Sequence, residues 1–130
     1  MQRKLMREIE KAERAAAGKS GEKTANDLGN LAEYALYVRK FSKALTAAER
    51  AHALVLDLLW IDSNRAHALL FLGRRVEARA LYLAHRGKQI PENDNKFWED
   101  VIDEDFDALR AAGIEHTAFG ASSSTHSIAK

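Results

Sequence analysis

Asn64-Arg65-Ala66-His67-Ala68-Leu69-Leu70-Phe71-Leu72-Gly73-Arg74-Arg75-Val76-Glu77-Ala78-Arg79-Ala80-Leu81-Tyr82-Leu83-Ala84-His85-Arg86-Gly87-Lys88 is the stretch on which the fold turns. Ala66, Leu69, Leu70 and Gly73 recur at helical spacing, Gly73 breaks the pattern, and Ala78, Leu81, Tyr82 and His85 restart it. Two apolar stripes separated by a tight turn are buried together only if the helices fold back on each other. The segment therefore reads as an antiparallel helical hairpin.

A shift of 34 positions brings an upstream copy into register: Asn30 over Asn64, Ala32 over Ala66, Leu36 over Leu70, Tyr37 over Phe71, Val38 over Leu72 and Ala44 over Ala78. That is the period of the tetratricopeptide repeat, and from about Ala25 to Glu92 the chain resembles this family. Small residues (Ala32, Ala44, Ala66, Ala78) stand where paired helices approach, with larger apolar residues between them. Leu31 is answered by Arg65, and the aromatic of the family's fourth position is Leu28 in one copy and Asp62 in the other. A helical hairpin outside the family is the alternative. Tyr82 to Lys88, followed by Trp98, Ile102, Asp105-Phe106, Leu109 and Ala112-Gly113, is similar to the C-terminal end of certain bacterial tetratricopeptide proteins, in which repeats are appended to larger chains. The resemblance implies a bacterial accessory module.

The composition fits that reading. A chain of 130 residues supports one core and not two. With 46% hydrophobic and 30% charged residues, a single proline and few glycines outside the expected turns, an all-α globular domain is expected. The absence of cysteine removes disulfides, thiolate metal sites and a cysteine nucleophile. Met1 to Arg14 lacks the apolar core of a secretory signal, and the run from Ala53 to Ile61 is interrupted by Asp57 and too short to span a membrane. A cytoplasmic address and no membrane partner are the expectations. A net charge of +1 gives no general field for nucleic acid.

In chain order, residues 2–17 read as a first helix with Leu5, Ile9, Ala12 and Ala16 on one side. Gly18 to Thr24 reads as a linker; its Gly-Lys-Ser is no phosphate loop, because the Walker pattern needs glycine where Glu13 stands. Asn26 or Asp27 is expected to cap a helix ending near Arg39, followed by one from about Ser42 to Leu56 in which Ala44, Ala47, Ala48 and Ala51 keep one side narrow. Leu58 to Ile61 reads as a hinge, Asp62 or Ser63 as the next cap, and Gly87-Lys88 as the end of the second hairpin. Pro91 to Asn95 forms a loop, and Asp94 or Asn95 is expected to open a last helix to about Ala112, stopped by Gly113. Its apolar face (Phe97, Trp98, Val101, Ile102, Phe106, Leu109) and acidic face (Glu99, Asp100, Asp103, Glu104, Asp107) suit a capping helix. Residues 114–130 read as a disordered tail. The expected architecture is a right-handed stack of two hairpins, residues 25–92, between an N-terminal helix with its linker (1–24) and a C-terminal capping helix (93–113).

The resemblance implies a concave groove lined by the first helix of each repeat, taking a peptide or helix of a partner protein. The matching positions are Asn26, Gly29, Glu33, Leu36 and Tyr37 in one copy, and Trp60, Ser63, His67, Leu70 and Phe71 in the other, with Asn64 a further candidate for partner contact or else a helix-packing residue. Tyr37, Trp60 and Phe71 are candidate anchors, or else pack within the chain. One subclass of the family clamps a terminal carboxylate with Lys, Arg and Asn; Asn64 fits, but Glu33 and Asp94 would repel a carboxylate. The five histidines form no metal-binding spacing, and the serine-rich segments offer no held nucleophile, so neither cofactor nor enzymatic activity is expected. A basic cluster (Arg65, Arg74, Arg75, Arg79, Arg86, Lys88) supports a competing class, weak nucleic-acid binding without sequence specificity. A second copy of the chain is a further candidate partner.

Overall fold

Helix α1 runs Glu22–Tyr37, α2 Phe41–Leu54, α3 Leu59–Phe71, α4 Arg75–Ala84 and α5 Trp98–Ala111, in a computed structural model that describes residues 21–56 and 58–114, with Arg7 and Ile9. Between α4 and α5 the chain makes a small hairpin of β1 (Gln89–Ile90) and β2 (Lys96–Phe97), bridged by a 3₁₀ turn over Pro91–Asn93. The protein is mostly helical, as the composition implies. Most of the expected first helix and the tail from residue 115 lie outside the described residues; Arg7 and Ile9 are helical, and Ile9 is fully buried.

Helices α1 and α2 pack on each other, as do α2 with α3, α3 with α4, and α1 with α3. The close approaches use the small residues expected there: Ala32, Ala44, Ala48, Ala51, Ala66 and Ala78 are all fully buried. The 34-residue period persists in the backbone. Helix α1 ends at Tyr37 and α3 at Phe71; α2 begins at Phe41 and α4 at Arg75. Arg39 (φ 61°) and Gly73 (φ 84°) both adopt the left-handed conformation. In the first turn Arg39 N–H donates to Leu36 O and Lys40 N–H to Ala35 O; in the second Gly73 N–H donates to Leu70 O and Arg74 N–H to Leu69 O. This double closure satisfies the carbonyls left open at a helix end. Helix α5 ends in the same way, through Gly113 to Arg110 O and Ile114 to Leu109 O.

Several boundaries differ from expectation, for one reason. The tight turns fix where each following helix begins, so Lys40, Leu58, Arg74 and Phe97 occupy the position before the first turn, and none supplies a side-chain cap. Helix α1 starts at Glu22, absorbing part of the presumed linker, and Asn26 and Asp27 lie inside it. The presumed hinge is largely helix: Leu59, Trp60 and Ile61 form the first turn of α3. Asp94 (φ 54°) and Asn95 (φ 57°) are successive left-handed residues that reverse the chain between the strands, a conformation short polar side chains tolerate, so they cannot cap α5. Phe97 then precedes the helix at 47% exposure, off the buried face, and Leu54 also points outward. Ile114, placed in the tail by pattern, is buried under the last turn.

Helix α5 closes the second hairpin. Its Trp98, Ile102 and Phe106 are fully buried. Trp98 Nε1 donates to Tyr82 O at 2.8 Å, Phe106 meets Tyr82 edge to face at 5.8 Å, and Trp98 meets His85 at 4.9 Å.

Candidate functional site

Because α1 and α3 are each antiparallel to α2, they run parallel, and both face α5. A cleft of about 330 Å³ lies among them, lined by Asn30 and Glu33 of α1, Trp60, Ser63 and Asn64 of α3, Glu92 and Asn93 of the 3₁₀ turn, and Val101 and Asp105 of α5. It continues into a narrow end of about 20 Å³ lined by Glu33, Leu36, Tyr37, Asn64, His67, Asp105 and Leu109. Along all three helices the lining residues climb at intervals of three or four, from mouth to narrow end, as one face of each helix must. Beyond the narrow end, Arg39 Nη2 donates to Gly113 O at 2.8 Å and ties the last turns of α1 and α5 together.

The floor is built by packing. Gly29 lets α1 approach α3, because a Cβ there would collide with the Trp60 ring, standing 2.8 Å from its Cζ3. Trp60 packs its ring against α1 at Gly29 and is half-buried. Ser63 is held by a bond from its hydroxyl to Trp60 O at 2.6 Å. Asn64 is buried at 6% exposure, and among the described residues its amide makes no hydrogen bond.

Behind the cleft, His67 is buried at 1% exposure between two partners, with Nδ1 2.7 Å from the Tyr82 hydroxyl and Nε2 2.9 Å from Asp105 Oδ2. Complete burial, reinforced by the Asp105 charge, pushes the Tyr82 phenol well above its ordinary range, so it stays protonated. Nε2–H donates to the Asp105 carboxylate, and Nδ1 shares its bond with the Tyr82 hydroxyl, which can serve as donor or acceptor there. The Glu33 carboxyl is raised by burial first and by Asp105 second, with His67 acting in the opposite direction. Burial, Glu33 and Asp105 likewise raise Tyr37. The chamber is acidic: no lysine or arginine is among its described lining residues.

Of the positions expected to meet a partner, Glu33, Trp60 and Asn64 line the wide cleft, and Tyr37, Leu36 and His67 the narrow end. Leu36 and Leu70 are core residues at 1% and 2% exposure. Phe71 stacks on Phe41 at 4.9 Å, away from the cleft lining. Asn30, Glu92, Asn93, Val101, Asp105 and Leu109 were missed. The signal for Asp105 was present: it stands four residues after Val101 and four before Leu109, an acid inside the apolar stripe of α5.

A second polar cluster surrounds Asp62, which is 2% exposed and receives His85 Nε2 at 2.8 Å, with His52 Nδ1 at 3.1 Å and Arg65 at 3.6 Å. It joins α2, α3 and the end of α4, with His85 in turn packed on Trp98. No group of histidine and carboxylate side chains among the described residues could hold a metal ion. In the basic cluster Arg74 is engaged by Glu77 through two hydrogen bonds, and Lys88 reaches His85. No helix among the described residues is long and apolar enough to cross a membrane.

No family model, curated protein or solved structure matches the chain.

Proposed function

We propose that the chain is a non-enzymatic protein-interaction module of the tetratricopeptide kind, acting in the cytoplasm and holding a segment of a partner protein in the cleft between α1, α3 and α5. One observation carries the reading. Glu33, Trp60 and Ser63, three of the positions that the tetratricopeptide resemblance assigns to a groove, share the wall of a single open cleft of about 330 Å³. That is room for side chains of an extended peptide and small for a whole helix. The Trp60 ring offers a large apolar contact at low entropic cost, and the surrounding amides and hydroxyl suit a peptide backbone.

Selection of displayed random peptides on the full chain tests it. Enriched peptides whose binding falls in Trp60→Ala and Tyr37→Ala variants with unchanged helical circular dichroism support the cleft. Peptides indifferent to both changes, or no enrichment, overturn it.

A further inference from the structure

We infer that the feature this cleft reads is a basic side chain, arginine above lysine, on the partner segment, an inference that rests on the cleft being the partner site. Glu33 and Asp105 face the chamber from α1 and α5, and both line the wide part and the narrow end alike. Asn64 stands with them on α3, also at the junction, buried at 6% exposure and without a hydrogen-bond partner among the described residues. No Asn64 amide atom is among the fully enclosed polar atoms that lack a partner, so the amide reaches the cleft and is open to a ligand's donors and acceptors. The acids point the same way. Only Oδ2 of Asp105 is engaged, by His67, and Glu33 makes no ion pair among the described residues.

The geometry distinguishes the ligand's charge. An anion would meet Glu33, Asp105 and Glu92 together, whereas a guanidinium supplies five donors in a plane to two carboxylates and the Asn64 oxygen. Trp60 lines the same chamber, and an aromatic ring beside a cation site favours a planar guanidinium over a compact ammonium. The narrow end, about 20 Å³, is too small for the side chain to pass. The cation therefore stops at the level of Glu33, Asn64 and Asp105, with the partner backbone left at the mouth beside Glu92 and Asn93. The raised Glu33 carboxyl agrees, because a negative charge held there against burial and Asp105 gains from a neighbouring cation.

Titration of the isotope-labelled full chain with the peptide N-acetyl-Ala-Arg-Ala-amide, and with its citrulline counterpart, decides the matter by NMR. Citrulline keeps the shape and removes the charge. The arginine peptide is expected to shift the Asn64 side-chain amide and the Trp60 indole N–H, about tenfold more tightly than the citrulline peptide, and a Glu33→Gln variant with an otherwise unchanged spectrum is expected to remove most of that preference. Equal binding of both peptides at these two signals overturns the inference and leaves the cleft as a partner site. No shift at either signal with either peptide overturns both. Tighter binding of a glutamate peptide overturns the charge argument outright.

Discussion

His67, Tyr82 and Asp105 show how a polar chain is placed in a helical core without loss. Each group is satisfied by the next, and the Tyr82 ring also packs on Phe106. Tyr82→Phe keeps the ring and removes the hydroxyl, leaving His67 Nδ1 buried without a partner; urea unfolding is expected to show a loss of about 1–3 kcal/mol. A change below a few tenths would mean that the histidine finds another partner. Glu33 presents the reverse case. Its carboxyl is raised above the ordinary 4.5 by burial, then by Asp105, with His67 opposing. The folded chain therefore holds this proton more tightly than the unfolded chain. The group's stabilising contribution is present below 4.5, is lost as pH rises through the raised folded value, and leaves a net penalty at neutral pH. Asp105, His67, Tyr37 and Glu92 are the charged and titratable groups facing it. Its side chain still reaches solvent through the mouth, which screens the effect. Glu33→Gln is expected to raise the urea midpoint at pH 7 and to flatten the profile above 4.5, while weakening the arginine peptide. An acid that costs stability and supplies recognition would thereby be separated into its two effects.

At the scale of elements, the turns are what repeat. The 34-residue register was legible because identical roles recur at fixed spacing: Ala32 and Ala66, Ala44 and Ala78, Leu36 and Leu70. Even Arg39, unlike Gly73 in chemistry, takes the same left-handed backbone, so the hairpin geometry overrides residue preference there. The β1–β2 hairpin was not legible, since two-residue strands have no periodicity and Asp94-Asn95 resembles a helix cap in composition. The inward turn of Asp105 was not read from the sequence: the acidic face is drawn through Glu99, Asp100, Asp103, Glu104 and Asp107, with Asp105 on neither face. Helix approach makes a testable claim at Gly29. Alanine there gains helix propensity of about 1 kcal/mol, but its Cβ collides with a large, rigid ring, and overpacking of this kind costs about 1–3 kcal/mol. The collision is expected to win. Gly29→Ala should lower stability and move Trp60 into solvent, seen as a red shift of tryptophan emission; an unshifted spectrum with higher stability would refute this packing of α1 on α3.

For the whole molecule the question is whether two hairpins stand alone. On the proposed repeat reading, a stack buries its core only between neighbours, and two units would fall short of the usual minimum of three. The far side of the second hairpin is closed by α5: Trp98, Ile102 and Phe106 are fully buried, and Leu109 and Ile114 nearly so. Each such side chain contributes about 1.5–3 kcal/mol before entropy, so together they rival the entire net stability of about 5–15 kcal/mol expected of a small domain. Helix α5 ends with the same double closure as α1 and α3. It is also a wall of the cleft, through Val101 and Asp105, and is tied to α1 by Arg39 and Gly113. Cap and site are thus one element. Deleting residues 94–130 is expected to expose Tyr82 and His67, leaving a fragment with helical circular dichroism, dye-binding apolar surface and no cooperative melt. The milder Phe106→Ala change in the full chain should cost about 3–5 kcal/mol, and should weaken cleft binding because Asp105 sits beside it on the same turn. If the fragment instead melts cooperatively near the temperature of the intact chain, the two hairpins carry their own core. Helix α5 would then be only the far wall of the cleft, and its loss should abolish peptide binding while leaving the fold intact.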